Sequence, residues 1–466
     1  MAIAAGDSDS AMARVVALLL LLAASARAAP AAAVTVSAPR SALGGGGAAA
    51  QAQAQAQVTA PASVPSASPY QRWWNVCVSD DGETVTGLTG GSNWSPDTPP
   101  GAAPTPLLLR SYDGGKTFVR YTDPGDLTPC DSDEADCATK ALVCSADGAA
   151  LAVAVNEGLV FEGEFSAKSG DFAFGPLPGA PEGSWKAAAM SANGSTLIVV
   201  PNDPKGCMYA CDLSPTGGCE QLCSAEHFGG STTAAQQQWN DVAMSSDGKT
   251  LVAAPWFGSG DASCGSGASH LFHSADGGES WAPGECFGFA RLASSADGRT
   301  ILVGEESYYG VVRVSVDGGT TWGGRSPVVV GATATTGWTA VAVSGDGSLL
   351  AVGDTYAIYI STDSGQSWAD NLYDNNGRFW TSIAISNDAS RIVAVSALYD
   401  NETALFQSAD GGANWYRSTP SQDSAGGVSA RASVVQQAVS APLVLGSVYT
   451  KPPYRESRYV ARESRA

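Results

Sequence analysis

The sequence is poor in charge, and most of what it has is of one sign. Only 15% of its 466 residues are charged, and 25 basic against 45 acidic residues leave a net charge of −20. That balance argues against nucleic acid or an anionic membrane as partner, since both need clustered Lys and Arg. Beyond the N-terminal region no segment approaches 18 consecutive apolar residues, so neither a transmembrane anchor nor membrane insertion is expected. The three histidines, His227, His270 and His273, have no Gly-x-Ser-x-Gly elbow to serve, so they make no hydrolase triad. A phosphate loop and a dinucleotide fingerprint are missing as well, and no cofactor or metal is expected.

What is present is repetition. Ser361-Thr-Asp-Ser-Gly-Gln-Ser-Trp368 shares its form with Ser111-Tyr-Asp-Gly-Gly-Lys-Thr-Phe118, Ser274-Ala-Asp-Gly-Gly-Glu-Ser-Trp281, Ser315-Val-Asp-Gly-Gly-Thr-Thr-Trp322 and Ser408-Ala-Asp-Gly-Gly-Ala-Asn-Trp415. This is the chemistry of a turn. An Asp carboxylate accepts bonds from amides just downstream, Gly tolerates positive φ, and the final aromatic opens the returning strand. The central aspartates are therefore Asp113, Asp276, Asp317, Asp363 and Asp410, the last four spaced by 41, 46 and 47 residues.

A second repeat interleaves with the first: an aromatic or apolar start, a short apolar run to a Ser, then x-Asp-Gly and another apolar run. Its seven instances end at Ser79, Ser145, Ser191, Ser245, Ser295, Ser344 and Ser386. Two apolar runs joined by such a turn make a hairpin, and the eight-residue turn makes the next one. Four strands in about 40 to 50 residues match one propeller blade. The expectation is an all-β, seven-bladed β-propeller over 70–449, with an eighth blade left open by the half-match Ala438–Leu445. The first strand, apolar on both faces, is expected to be buried on both. Small residues such as Ala189 and Ala243 in it should let blades approach.

The eight-residue pattern resembles the Asp-box, or bacterial neuraminidase repeat. That family includes sialidases, sortilin-type receptors, xyloglucanases and photosystem II assembly-factor propellers. The resemblance implies a propeller with the box at a turn in each blade, and it implies no single function. For a sialidase it also implies an Arg trio, a Tyr–Glu nucleophile pair and an Asp acid/base. The family's Arg-Ile-Pro signature is absent here, and Arg72, Arg291 and Arg378 would have to form an unorthodox trio.

The flanks bear on location. Arg14 precedes an apolar run, Val15–Ala24, and small residues near Ala29 suit a cleavage site, so 1–29 reads as a secretory signal. An Ala/Gln/Pro-rich stretch, 30–69, reads as a disordered linker; its lack of acids also leaves a plastid transit segment open. The basic tail 450–466 is expected to be disordered. Asn93, Asn193 and Asn401 lie in glycosylation sequons. Ten cysteines suggest an oxidising compartment. Cys207 with Cys223 and Cys211 with Cys219 share one index sum, so both can bridge a single antiparallel hairpin; a four-thiolate zinc site is the rival. Cys264–Cys286 and Cys130–Cys137 are further candidate pairs, with Cys77 and Cys144 unassigned. A calcium site at Asp131–Asp136 is less favoured than a solvated loop.

The short turns occupy one end of the propeller, and longer, varied loops the other, which makes that other end the candidate functional face. Its loops carry Trp256, Phe257, Glu305, Glu306, Tyr308, Tyr309, Asp354, Tyr356 and Tyr399, aromatic faces and carboxylates suited to sugar rings. The expectation is a secreted, non-catalytic module for glycan or protein ligands, with a sialidase-like glycoside hydrolase and a plastid-lumen assembly factor as alternatives.

Overall fold

Around each Asp-Gly pair the chain reverses for a reason visible in its hydrogen bonds. In blade 4 the Ser245 hydroxyl donates to Asp247 Oδ1 at 2.7 Å. That oxygen accepts the Lys249 N–H at 3.0 Å, and Ser245 Oγ accepts the Thr250 N–H at 2.9 Å. Gly248 between them sits at φ 73°. Asp81, Asp147, Asp297, Asp346 and Asp388 repeat the arrangement, and Asn193 takes the same part in blade 3.

The computed structural model describes residues 72–90, 107–120, 139–155, 158–166, 171–231, 234, 237–256, 263–264, 268–288, 290–307, 310–324, 326–327, 337–373, 379–397 and 403–418. They form seven antiparallel sheets, each using its strands in sequence order. The innermost strands are Arg72–Val78, Thr139–Cys144, Trp185–Met190, Trp239–Met244, Ala290–Ser294, Ala340–Val343 and Phe379–Ile385. In blade 5 the described residues show three strands and a bridge between Val314 and Gly323. The seven-bladed all-β propeller is as expected; the half-match 438–445 lies outside the described residues.

Burial corrects one expectation. It is the second strand that is buried on both faces, as in Leu251–Pro255, all five residues of which are buried. The innermost strand alternates, as in Trp185–Met190, because its free edge faces the axis. The tryptophans at or next to its start, Trp185, Trp239, Trp338 and Trp380, are fully buried between blades.

The eight-residue turns close the outer hairpins. Asp363 Oδ1 accepts from the Ser361 hydroxyl and the Ser367 N–H, both at 2.8 Å, and Oδ2 accepts from the Ser367 hydroxyl at 2.5 Å. Those bonds, first from the Ser367 side chain, then its N–H and Ser361, hold the carboxyl down at about 2. Asp317 is likewise lowered to about 2, through Thr321 and Ser315. At Asp113, Asp276 and Asp410 burial pushes upward, but the equivalent bonds outweigh it and the shift is again downward. Both turn families share one end of the ring, as bonds such as Gly277 N–H to Lys249 O at 2.9 Å show.

Seven backbone hydrogen bonds run round the axis at this end. The N–H groups of residues 80, 146, 192, 246 and 296 donate in turn to the carbonyls of 146, 192, 246, 296 and 345. Asp346 then donates to Asn387, and Asn387 returns to Asp80, both at 3.0 Å. Blades 1 and 7 pack directly, with Trp73, Val76, Val393 and Val395 in one apolar cluster. Ser418 Oγ donates to Gly115 O at 2.8 Å across the same seam.

Four disulfides occur among the described residues. Cys207–Cys223 and Cys211–Cys219 pair as the index sum requires, Cys211 facing Cys219 in register, as two disulfides in place of a thiolate site. Cys264–Cys286 forms as expected. Cys77 and Cys144 join the innermost strands of blades 1 and 2, with Cα atoms 6.1 Å apart. Cys130, Cys137 and Asp131–Asp136 lie outside the described residues.

Candidate functional site

The innermost strands leave a channel along the axis, holding a cavity of about 150 Å³. A run of apolar strands should line it with Ala and Val, and blade 2 does so with Ala141, Leu142 and Val143. The other blades present Asn75, Lys186, Asp241, Arg291, Thr339 and Thr381. Part of the reason is a β-bulge. In blade 3 Trp185 pairs with Pro201 and Ala187 with Val200, leaving Lys186 as the extra residue; Thr381 is skipped likewise in blade 7. A bulge re-aims side chains, here into the channel wall.

Blades 3 to 5 bring charged groups together. The Lys186 ammonium lies 4.6 Å from the ring centre of Trp256, a half-buried residue that follows the second strand of blade 4 on the looped end. Arg291 pairs with Glu306, Nη2 to Oε2 at 2.9 Å and Nε to Oε2 at 3.1 Å. Between these pairs stands Asp241. Its Oδ1 accepts the Val242 N–H at 2.9 Å and its Oδ2 the Leu292 N–H at 3.0 Å. Burial raises its pKa, against the opposing pull of Arg291, of those two backbone bonds and of Lys186.

The residues singled out from sequence separate into several roles. Trp256 and Glu306 join the cluster just described. Glu305 is a strut: Oε1 accepts the Gly288 N–H at 2.9 Å and Oε2 the Val311 N–H at 3.2 Å. Asp354 is fully buried and organises its own turn, Oδ1 accepting the N–H groups of Tyr356 and Ala357 at 2.7 Å each. Its Oδ2 is buried without a partner. Burial raises its pKa, opposed by the bonds from Tyr356 and Ala357. Tyr356 is 38% exposed. Phe257, Tyr308, Tyr309, Tyr399, Asn93 and Asn401 lie outside the described residues, and so do Arg378 and the side chain of Arg72. Asn193 is exposed in its turn, where Oδ1 accepts from Ser191 and Ser195.

Sequence reasoning missed Lys186, Asp241, Asn75, Thr339 and Thr381. The signal was there: a polar residue one or two positions after the aromatic near the start of the innermost strand in blades 1, 3, 4, 6 and 7. Arg110 was missed too. It is buried between blades 1 and 2, donates to Gly148 O at 2.6 Å and lies over the rings of Tyr112, Phe165 and Phe172.

No protein-family model matches the chain, and no curated protein matches it. Among solved structures it is similar to the β-propeller domain of Cps50 (Swd1) from Myceliophteria thermophila. The identity is 13% and the TM-score 0.48, over 72% of this chain and 96% of that one. It is also similar to the hydrazine synthase of Kuenenia stuttgartiensis, at 14% identity and a TM-score of 0.49, over 74% and 98%. At these values neither likeness bears on function.

Proposed function

We propose that the chain is a secreted, non-catalytic propeller that captures a glycan at the looped mouth of its channel. The carrying observation is the Trp256 ring with the Lys186 ammonium 4.6 Å from its centre, beside Asp241 and the Arg291–Glu306 pair. An aromatic face stacks on a sugar ring, while charged groups on either side exchange hydrogen bonds with its hydroxyls. The cation fixes the ring beforehand, which lowers the ordering cost of binding. A small cavity to which six of the seven blades present a polar side chain favours a sugar over a protein segment among the ligands expected from sequence.

The cysteines support the compartment. Four disulfides suit an oxidising environment, and no helix among the described residues is long and apolar enough to cross a membrane. The Asp-box resemblance accords with this reading, and a plastid-lumen assembly factor is its alternative. The mature N-terminal sequence and the presence of a glycan on Asn193 separate the two.

A hydrolytic reading draws on Asp241, whose raised pKa between two cations is a property of catalytic acids. Both its oxygens, however, already hold backbone N–H groups. The deciding experiment is a glycan array run beside fluorogenic glycoside assays, with Trp256→Ala as comparison. Capture should weaken by about thirtyfold, as loss of a hot-spot aromatic implies, with melting unchanged and no turnover. Turnover that Asp241→Asn abolishes would replace the binding reading with the enzymatic one.

A further inference from the structure

Outside the channel, a reactive group of side chains sits on the outer hairpin of blade 4, strands Ser269–Ser274 and Ala282–Phe287. His270 and Cys286 are directly opposed across this pair, and the register shifts between His270 and Phe272. Cys286 is bonded to Cys264. His270 Nδ1 lies 2.6 Å from the carbonyl of Gly284 and 3.6 Å from Cys286 Sγ. Its Nε2 is 2.9 Å from Ser263 Oγ.

A carbonyl oxygen only accepts, so Nδ1 carries a proton. That N–H donates to the Gly284 carbonyl and lies 3.6 Å from one sulfur of the disulfide, so it can turn from the carbonyl to that sulfur as negative charge develops there. Cys264 is half-buried and Cys286 exposed, whereas Cys211 of the blade 3 hairpin is 1% exposed. In thiol–disulfide exchange the better-stabilised thiolate leaves faster. The asymmetry of the His270 contact thus distinguishes the two sulfurs chemically.

We propose that Cys264–Cys286 is an exchange site for thiols and dithiols, at which Cys264 is attacked and Cys286 leaves as a thiolate held by His270 Nδ1–H. The incoming thiolate forms a new S–S bond to Cys264 as the Cys264–Cys286 bond breaks, and the electron pair goes to Cys286 sulfur. A second thiolate then resolves the mixed disulfide; the protein pair is reduced, and the two thiols leave as their own disulfide.

The test is glutathione treatment of the folded, full-length protein, acid quenching, alkylation and peptide mass mapping. The expected product carries glutathione on Cys264 and the alkyl group on Cys286. It should form about fivefold or more faster than adducts at Cys207–Cys223 or Cys211–Cys219. His270→Leu should slow it about fivefold, and His270→Asn, which keeps an N–H donor, should restore part of the rate. The blade 3 disulfides report in the same molecule whether a variant has opened; if their rates rise in the Leu variant, the Asn variant decides. Glutathione found on Cys286, equal rates at the three disulfides, or His270 variants that react like the wild type would overturn the assignment.

Discussion

The carboxylate of Asp241, in the innermost strand of blade 4, accepts the backbone N–H of Leu292 in blade 5 at 3.0 Å. A side chain thus bridges two sheets at the wall of the channel, in addition to the apolar packing between them. The same residue stands beside Lys186 and Arg291, so one group supports both the scaffold and the candidate site.

Asp241→Ala should therefore lower stability, because it leaves the Leu292 and Val242 N–H groups unpaired near the axis. A cost of about 1–3 kcal/mol follows from unsatisfied donors. Asp241→Asn keeps one acceptor and should fall between. Denaturant titration of the three proteins checks the order, and identical midpoints would show that the bridge contributes nothing.

Two aspartates should carry pH dependence of opposite sign. Asp363 is lowered from 3.8 to about 2, so the stability it contributes is present above its unfolded value and is lost as pH falls from about 3.8 through about 2. The melting difference between wild type and Asp363→Asn should be constant at neutral pH and shrink across that acid window. Asp354 is raised, so folding favours its protonated form and stability falls as pH rises through the raised value. Asp354→Asn should gain on the wild type over that rise. Melting curves from pH 2 to pH 8 on both variants test the two signs together.

Two turns hold a side chain where their counterparts have glycine. Ala389 sits at φ 61° and Ser364 at φ 57°, the positions taken elsewhere by residues such as Gly248 and Gly277. A left-handed conformation costs a non-glycine residue about 1–2 kcal/mol, and glycine's greater unfolded freedom offsets roughly half of it. Ala389→Gly and Ser364→Gly should each stabilise by about 0.5–1 kcal/mol. A fall in melting temperature for either would mean that its side chain makes a compensating contact.

Loss of Cys77–Cys144 should cost more than loss of Cys211–Cys219. The first closes a separation of 67 residues and the second one of 8. Chain entropy then assigns about 4 and about 2.5 kcal/mol respectively. Comparing the two Cys→Ser double variants by chemical denaturation checks the ranking.

The fold was legible because its turns need particular residues. Asp or Asn beside Gly, and Ser two before it, leave a mark at each reversal whatever the strands contain. Blades 2 and 3, which lack the eight-residue form, were still found from their inner hairpins. The site was harder. Lys186 and Trp256 stand 70 positions apart in the sequence, and only the bulge and the ring bring them together. Asp354 looked like a ligand group and is a turn residue, since nothing in Asp-Thr-Tyr distinguishes a carboxylate that caps its own amides from one that faces solvent. Arg110 would pass for a surface charge until three rings, two of them from the next blade, are seen around it.

The circle of backbone bonds through Asp80, Asn387 and their counterparts has a consequence for synthesis. Its seam joins residues made far apart in time: Val76 N–H meets the Ser382 hydroxyl across 306 positions. At 5–20 residues per second the ribosome takes roughly 15 to 60 seconds to cover that distance, whereas a hairpin forms in about microseconds. The Trp73 side of the first blade therefore has no neighbour until the seventh emerges. How long that face stays open to chaperones, or to other chains, is set by the length of the message and not by the chemistry of the blades.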